Sequence, residues 1–186
     1  MTTYTPGPAA LRAMAHPMRL RLLGLLRLDG PATASALAAR LGINSGAASY
    51  HLRQLAQHGF IVDDPERGNA RERWWRAAYQ STRTTDELEG TPEGRDAGDA
   101  FGQAIAVVHA EQTQRAVEER ALLPDEWRAA SMLSDWSLRL TPQRARALSE
   151  AVQELVTGWD EDADDEAAAA PYLLHVHGFP VPGSLE

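Results

Sequence analysis

Residues 32–76 read ATASALAARLGINSGAASYHLRQLAQHGFIVDDPERGNARERWWR, and this stretch predicts the fold. Thr33 can cap a short helix, and Gly42 can end it because glycine enters the left-handed region without steric cost. Asn44 can cap a second helix over residues 44–57. The apolar residues of this second helix recur at three- and four-residue spacing and are Ala48, Leu52 and Leu55. Two helices joined by a glycine-containing turn form a helix-turn-helix unit.

A β-hairpin, here called the wing, is predicted directly after the second helix, over residues 60–77. The run 60–62 is rich in β-forming residues, residues 65–69 have turn chemistry, and residues 70–77 resume as a strand. A hairpin in this position predicts a winged helix-turn-helix, in which the helix over residues 44–57 is the recognition helix.

Three segments make a family resemblance specific. They are AHPMRLRLL at residues 15–23, LAARLGI at residues 37–43 and ASYHLRQLAQHGFI at residues 48–61. Together with the arginine-rich second strand of the wing, they resemble the ArsR family of winged-helix transcriptional regulators over roughly residues 16–77. The resemblance implies a DNA-binding regulator and leaves the sensed signal open.

Composition excludes several classes of protein. The 186 residues include no cysteine, which rules out disulfides, thiolate metal sites and thiol redox switches. No apolar run approaches the ~20 residues that a membrane span needs. The first residues have neither a basic region nor an apolar core of a signal peptide. We therefore expect a cytoplasmic protein that does not bind membranes.

Charge is divided unevenly along the chain, whose net charge is −8. Residues 1–80 carry 10 arginines and 5 acidic residues, a net charge of +5. Residues 81–186 carry 8 arginines and 21 acidic residues, a net charge of −13. A basic first half joined to an acidic second half fits a nucleic-acid contact confined to one end of the protein.

The predicted fold class is mainly α with small β elements, a winged helix-turn-helix followed by a C-terminal helical region with a strand-helix-strand unit. The predicted domains are residues 1–80 for DNA binding, residues 81–98 as a linker or mobile loop, and residues 99–186 as an acidic region for dimerisation and effector binding. Two shorter expectations concern the first domain: residues 1–7 are disordered, and helices cover residues 8–15 and 18–28.

Four elements are predicted in the second half. The apolar face of residues 99–123 predicts a long helix whose cover comes from a second subunit. Residues 134–140 alternate between apolar and polar and predict a strand. Thr141 followed by Pro142 predicts a helix start. Residues 172–179 predict another strand, with parallel and antiparallel pairing both open.

The predicted DNA contacts come from the recognition helix, its cap, the preceding helix cap and the wing. Hydroxyl groups suit phosphates, while Arg53 and Gln54 can donate to base edges. His51 stands in the S-x-H-L pattern by resemblance and either packs or meets a phosphate. The full set is Thr33, Asn44, Ser45, Ser49, Tyr50, His51, Arg53, Gln54, Arg67, Asn69, Arg71 and Arg73. The alternative is a solvated helix face and wing arginines paired with Asp63, Asp64 or Glu66.

A small organic effector is the predicted signal, and its pocket is assigned to large aromatic residues of the second half. They are Phe101, Trp127, Trp136, Trp159 and Phe179. The alternative is that these residues form ordinary core. Metal binding and cofactors are not expected, although His175 and His177 share a strand face and offer half of a zinc or copper site. No catalytic motif is present, so enzymatic activity is not expected either.

The sequence thus predicts a homodimeric repressor that binds a pseudo-palindromic operator on double-stranded DNA. Residues 8–15 and 99–123 are expected to form much of the dimer interface. One alternative is a winged-helix protein-interaction module that has lost DNA binding. Another is a metal-responsive regulator that uses His175 and His177.

Overall fold

The computed structural model describes residues 2–67, 72–84, 88, 90–163 and 166–185. It divides into two compact units, Met1–Glu118 and Glu119–Glu186. The functional division of the chain into residues 1–80, 81–98 and 99–186 stays a prediction.

The first unit contains five helices and five short strands in its described part. The helices are α1 (Pro8–Met14), α2 (Pro17–Leu28), α3 (Ala34–Leu41), α4 (Ser45–Gln57) and α5 (Pro92–Glu119). The strands are β1 (Thr3–Tyr4), β2 (Ala32–Thr33), β3 (Ile61–Asp63), β4 (Trp74–Ala77) and β5 (Ser81–Thr82).

The strands form two small sheets. In the first, β2, β4 and β3 are antiparallel, with β4 in the middle. Its register pairs Val62 with Arg76 and Ala32 with Trp75. In the second sheet, β1 and β5 are parallel. The predicted wing is therefore confirmed, and it shares a sheet with the strand that leads into α3.

Side chains at the helix ends explain where the helix-turn-helix begins and turns. The Oγ1 atom of Thr33 accepts a hydrogen bond from the Ala36 N–H at 3.2 Å. The Oδ1 atom of Asn44 accepts one from the Ala47 N–H at 2.7 Å. Between them Gly42 has a φ of 64°, in the left-handed region that favours glycine. The structure thus confirms the predicted cap roles of Thr33 and Asn44 and the predicted helix end at Gly42.

The core of the first unit joins the N-terminal helices, the recognition helix and the wing. Its buried members are Leu11, Met14, Leu22, Leu23, Leu26, Leu37, Leu52, Leu55, Phe60, Ile61, Trp75, Leu88, Ala97 and Phe101. Helix α5 is tied to this core by Ala97 and Phe101. A bidentate ion pair also joins α5 to α2, in which Arg21 donates to the carboxylate of Glu111 at 2.6 and 3.1 Å.

The second unit contains a 3₁₀ turn (Arg120–Leu122), α6 (Asp125–Ala130) and α7 (Pro142–Thr157). The predicted start of α7 is confirmed, because the Oγ1 atom of Thr141 accepts from the Arg144 N–H at 3.4 Å. No residue in the described part of this unit is buried. The described part of the second unit therefore has no hydrophobic core of its own.

Four segments differ in secondary structure from the prediction. Residues 1–7 are not wholly disordered, because β1 pairs with β5. Residues 134–140 and 172–179 form no strands, so α7 lacks its predicted strand partners. Apolar alternation is a signal of strands only where a neighbouring strand supplies hydrogen bonds, and neither segment has one. The predicted linker, residues 81–98, begins with β5 and ends in the first turns of α5.

Replacing Gly42 by alanine tests the turn between α3 and α4. Because alanine is strained at a φ of 64°, Gly42→Ala should lower the free energy of unfolding by about 1 kcal/mol. The matched control is Gly24→Ala in the middle of α2, where an added Cβ also has no atom within 4 Å. That control should raise the free energy by roughly 0.5–1 kcal/mol, because alanine favours a helix interior. Urea unfolding followed by tryptophan fluorescence measures both, and equal signs would contradict the assigned turn.

Candidate nucleic-acid interface

Helix α4 has one buried side and one open side. Ala48, Leu52 and Leu55 are 0% exposed, and the helix packs against α2 and α3. Because these residues hold the helix against the core, the opposite side faces solvent. This arrangement is what a recognition helix needs, since an α-helix can enter the major groove only with a polar side uncovered.

The predicted contact residues of α4 differ in exposure. Asn44, Ser45, Tyr50 and Arg53 are exposed, whereas Ser49, His51 and Gln54 are partly covered. Exposed hydroxyl groups and N-terminal backbone amides can hydrogen-bond to phosphates, and an exposed guanidinium can reach the edge of a base. Asn44 uses its side-chain oxygen to cap α4. The exposed side chains of Ser45, Tyr50 and Arg53 lie on the open side of α4, as the sequence predicted.

Thr33 has a structural role. Its side chain is 8% exposed and its oxygen is occupied by the cap of α3. The sequence shows the cap but does not show that Thr33 is buried. A direct contact between Thr33 and DNA stays a prediction, and the burial of its side chain argues against it.

His51 lies against a second histidine. The ring centroids of His51 and His16 are 4.7 Å apart, and those of His51 and Tyr50 are 5.3 Å apart. Burial lowers the pKa of His51 below its usual 6.5, and nearby His16 and Arg19 lower it further. Burial also lowers the pKa of His16, with Arg19 as a further cause. Both rings are therefore harder to protonate than a free imidazole.

Two wing arginines, Arg67 and Arg73, lie beside wing carboxylates. The Nε of Arg73 donates to Oδ2 of Asp63 at 2.8 Å, and its guanidinium carbon lies 4.3 Å from the ring centre of Trp75. Arg67 lies 3.9 Å from Asp64. Trp75 is the inward tryptophan, at 4% exposure, which alternation alone left open. The predicted contacts Asn69 and Arg71 lie outside the described residues.

Sequence reasoning missed two residues that the structure brings to this side of the unit. His16 caps α2 through its Nδ1 atom, which accepts from the Met18 N–H at 3.1 Å. Arg19 lies one turn further along α2, near both histidines. The motif at residues 15–23 contains both, but its helical periodicity marks only the leucines, and the contact with α4 is long-range.

The predicted effector residues do not form an enclosed pocket in the part of the chain that the structure describes. Phe101 is 7% exposed and belongs to the core of the first unit. In the second unit Trp136, Trp159 and Phe179 are each more than 70% exposed. Trp127 stacks on Tyr172 with ring centroids 6.4 Å apart. The effector pocket therefore stays a prediction.

The two histidines considered for a metal half-site are neighbours in the second unit. The ring centroids of His175 and His177 are 6.2 Å apart in an edge-on arrangement. Burial lowers the pKa of His175, and His177 lowers it further. Two imidazoles supply only half of a tetrahedral zinc site.

The fold and the open face of α4 define a winged helix-turn-helix protein. A family model described as a helix-turn-helix domain matches residues 14–63, which agrees with this class and with a DNA-binding role in transcription. Among solved structures, the crystal structure of RV1404 from Mycobacterium tuberculosis is similar over 83% of each chain, with 18% identity and a TM-score of 0.31. That similarity is too low to support an argument. No curated protein matches the chain. Among the described residues, no helix is long and apolar enough to cross a membrane.

The histidine pair predicts a dependence of stability on pH. Because the folded state lowers the pKa values of His16 and His51, the unfolded chain binds more protons near pH 6. The contribution of these two histidines to the free energy of unfolding is fully present above about pH 6.5, the pKa of a histidine in the unfolded chain, and is lost as the pH falls below that value. Thermal unfolding of the full chain at pH 7.5 and 5.5 measures the loss. His51→Gln should reduce it, and an unchanged pH dependence in this variant would exclude His51 as a source.

Proposed function

We propose that this protein is a homodimeric transcriptional regulator of the ArsR type, most simply a repressor, that binds a pseudo-palindromic operator in the cytoplasm. Recognition helix 44–57 enters the major groove and wing 60–77 lies on the flanking backbone. The observation that carries the proposal is the open polar side of α4, held outward by the full burial of Ala48, Leu52 and Leu55.

Charge supports a duplex as the partner. The first 80 residues have a net charge of +5 in a chain whose net charge is −8. Arg53 is exposed on the open side of α4, where its guanidinium can donate two hydrogen bonds to guanine. Arginine is also suited to phosphate because it can bind two oxygens at once. The net positive charge thus lies in the part of the chain that carries the recognition helix, and the acidic residues lie mostly in the other part.

The wing ion pairs fit the same proposal. Arg73 and Asp63 have side chains that are 58% and 43% exposed, and an exposed ion pair of this kind contributes little to stability. A DNA phosphate can therefore replace the carboxylate at small cost. Before DNA binds, Asp63 and Trp75 both hold the Arg73 guanidinium, so its position is set in the free chain.

The second unit supports a dimer. It carries large apolar side chains that are mostly exposed, among them Leu122, Leu133, Trp136, Leu138, Leu155 and Trp159. Soluble monomers rarely expose so much apolar surface in one region. A second copy of the chain would cover it and would also supply the second recognition helix. On an operator, the two recognition helices would enter successive major grooves ~34 Å apart.

The regulatory signal is proposed as a small organic effector that changes the spacing of the two winged units. A dimer would have to bring the exposed aromatic residues of the second unit together to make its pocket. A metal-responsive regulator that uses His175 and His177 is the alternative.

DNA binding can be tested with a duplex taken from upstream of the protein's own gene. Affinity measured by fluorescence anisotropy should fall steeply as salt rises, because each phosphate contact releases counterions. Arg53→Ala should weaken binding by roughly 1–3 kcal/mol and relax the preference for the operator over an unrelated duplex. The control is Arg139→Ala, which removes an exposed arginine of the second unit and should leave affinity unchanged.

Two results would count against this proposal. Absent or salt-insensitive binding would favour the protein-interaction module, in which the acidic half docks a basic partner. Unchanged affinity and sequence preference in Arg53→Ala would remove the role given to Arg53 while leaving the rest in place.

The dimer can be tested through α7. Leu155 is 61% exposed and lies on the side of α7 that also carries Leu148 and Val152. Leu155→Glu should therefore place a charge in the proposed interface and raise the dimer dissociation constant at least tenfold. Gln153→Glu introduces the same charge two residues away, at an exposed polar position, and serves as the control. Sedimentation equilibrium measures both. A monomeric wild type, or a Leu155→Glu variant that dimerises normally, would contradict the assigned interface.

A further inference from the structure

A cluster of three basic side chains and one tyrosine lies where the start of α2 meets α4. The ring of His51 is 4.7 Å from that of His16 and 5.3 Å from that of Tyr50, measured between centroids. Arg19 interacts electrostatically with both histidines and with Tyr50. We call these four residues, His16, Arg19, Tyr50 and His51, the basic cluster.

Two polar atoms of the basic cluster are buried without a hydrogen-bond partner. They are Nε of Arg19 and Nδ1 of His51, and within the described residues no donor or acceptor reaches either one. Buried polar atoms in folded proteins almost always have a partner, and an exception indicates an unsatisfied group or a missing ligand. Both unsatisfied atoms belong to this one cluster, so a hydrogen-bonding group that entered it would find two atoms without a partner among the described residues.

The basic cluster also lacks a counter-charge. Several other arginines of the first unit have carboxylate partners, as in the pairs Arg21–Glu111, Arg40–Asp29 and Arg73–Asp63, and Arg27 donates to the Tyr79 carbonyl and the Thr82 hydroxyl. No such pair involves Arg19 in the described ranges, and burial lowers the pKa of its guanidinium. A partly buried cation without an anion is costly, and an anion bound at the cluster would remove that cost.

DNA is the anion that fits this position. Tyr50 is 53% exposed on the open side of α4, so the cluster borders the face that enters the groove. A recognition helix in the major groove is flanked by backbone phosphates, and arginine binds phosphate with strong charge-assisted hydrogen bonds. Small side-chain rotations, which are common at interfaces, would turn the N–H groups of Arg19 and His51 toward the phosphate.

We propose that His16, Arg19, Tyr50 and His51 bind one phosphate of the DNA backbone, and that His51 takes up a proton from solvent when the phosphate arrives. This inference rests on the proposed function. It adds α2 to the DNA-contacting elements and makes affinity depend on pH.

The proton goes to His51 because of what each ring already does. The Nδ1 atom of His16 accepts the hydrogen bond that caps α2, so protonation there would remove the cap. The Nδ1 atom of His51 has no partner to lose. A phosphate beside His51 would favour the charged ring and offset the effect of burial and of the neighbouring cations.

The other charged groups near the basic cluster do not compete for this role. Arg21 acts on His16 but is held by Glu111. On the other elements packed against α4, Arg12 of α1 is exposed to solvent and Arg40 of α3 is paired with Asp29. Asp63 of β3 is paired with Arg73. His16, Arg19 and Tyr50 are thus the groups that face His51.

A phosphate contact is independent of sequence, so any duplex serves as the probe. We would measure the affinity of the full-length protein for two unrelated 30-base-pair duplexes at several salt concentrations. Arg19→Gln should weaken binding roughly tenfold and by the same factor on both duplexes, with the slope of log K against log salt reduced by about 0.9. The control is Arg12→Gln, an exposed arginine of α1, which should keep wild-type affinity and slope.

Uptake of a proton by His51 is tested by repeating the DNA-binding titration at several pH values between 8 and 6. Wild-type affinity should rise as the pH falls, by at most about tenfold per pH unit, the limit for one proton. His51→Gln should abolish that dependence, and Arg19→Gln should weaken it. Circular dichroism at each pH checks that the variants are folded. If Arg19→Gln folds, Arg19→Lys, which keeps the charge, should restore most of the affinity. If Arg19→Gln fails to fold, the test passes to His51→Gln, and a pH dependence of affinity equal to that of the wild type would overturn the inference.

The outcomes separate this inference from the proposed function. In one outcome, the wild-type affinity for DNA falls steeply with salt, the Arg19 variant has the same slope, and affinity does not depend on pH. This outcome overturns the phosphate site and leaves the proposed regulator in place. A wild type that binds no duplex overturns both. The contacted phosphate can be located by replacing one phosphate of a DNA strand at a time with a neutral methylphosphonate. At one position this replacement should weaken binding of the wild type but not of Arg19→Gln.

Discussion

The burial of Ala48, Leu52 and Leu55 is the constraint on which the rest of the structure depends. These side chains are fully enclosed among α2, α3 and the wing, so α4 cannot rotate about its axis without exposing them. Exposing two leucines would cost several kcal/mol, which fixes the orientation of the helix at ordinary temperatures. The positions of Tyr50, Arg53 and the basic cluster follow from that one packing arrangement.

The wing and strand β2 pack onto the same core. Trp75 fills the space between β4 and the helices, and its backbone pairs with Ala32 on one side and Asp63 on the other. The same tryptophan supports the guanidinium of Arg73. Recognition helix and wing are therefore parts of one core, and a DNA duplex would meet them as a single preformed surface.

The second unit presents the opposite situation. Helix α7 has a clear apolar stripe and sound end signals, yet no residue of the described unit is buried. Ordering a chain costs conformational entropy that only burial can offset. The proposed dimer therefore bears on the structure as well as on function, because a second copy would cover these apolar side chains. The winged unit, by contrast, has a complete core in one chain.

The sequence by itself determined the local structure of residues 32–63, because caps, glycine turns and helical periodicity act between residues less than five apart. It also determined the start of α7 at Thr141 and Pro142 for the same reason. Only the tertiary structure decided which tryptophan of the wing is inward, that Thr33 is buried, and that His16 and Arg19 lie against His51. It also decided that residues 134–140 and 172–179 remain without strand partners. These outcomes depend on contacts between residues far apart in the chain, and no local pattern records which distant surface a side chain will meet.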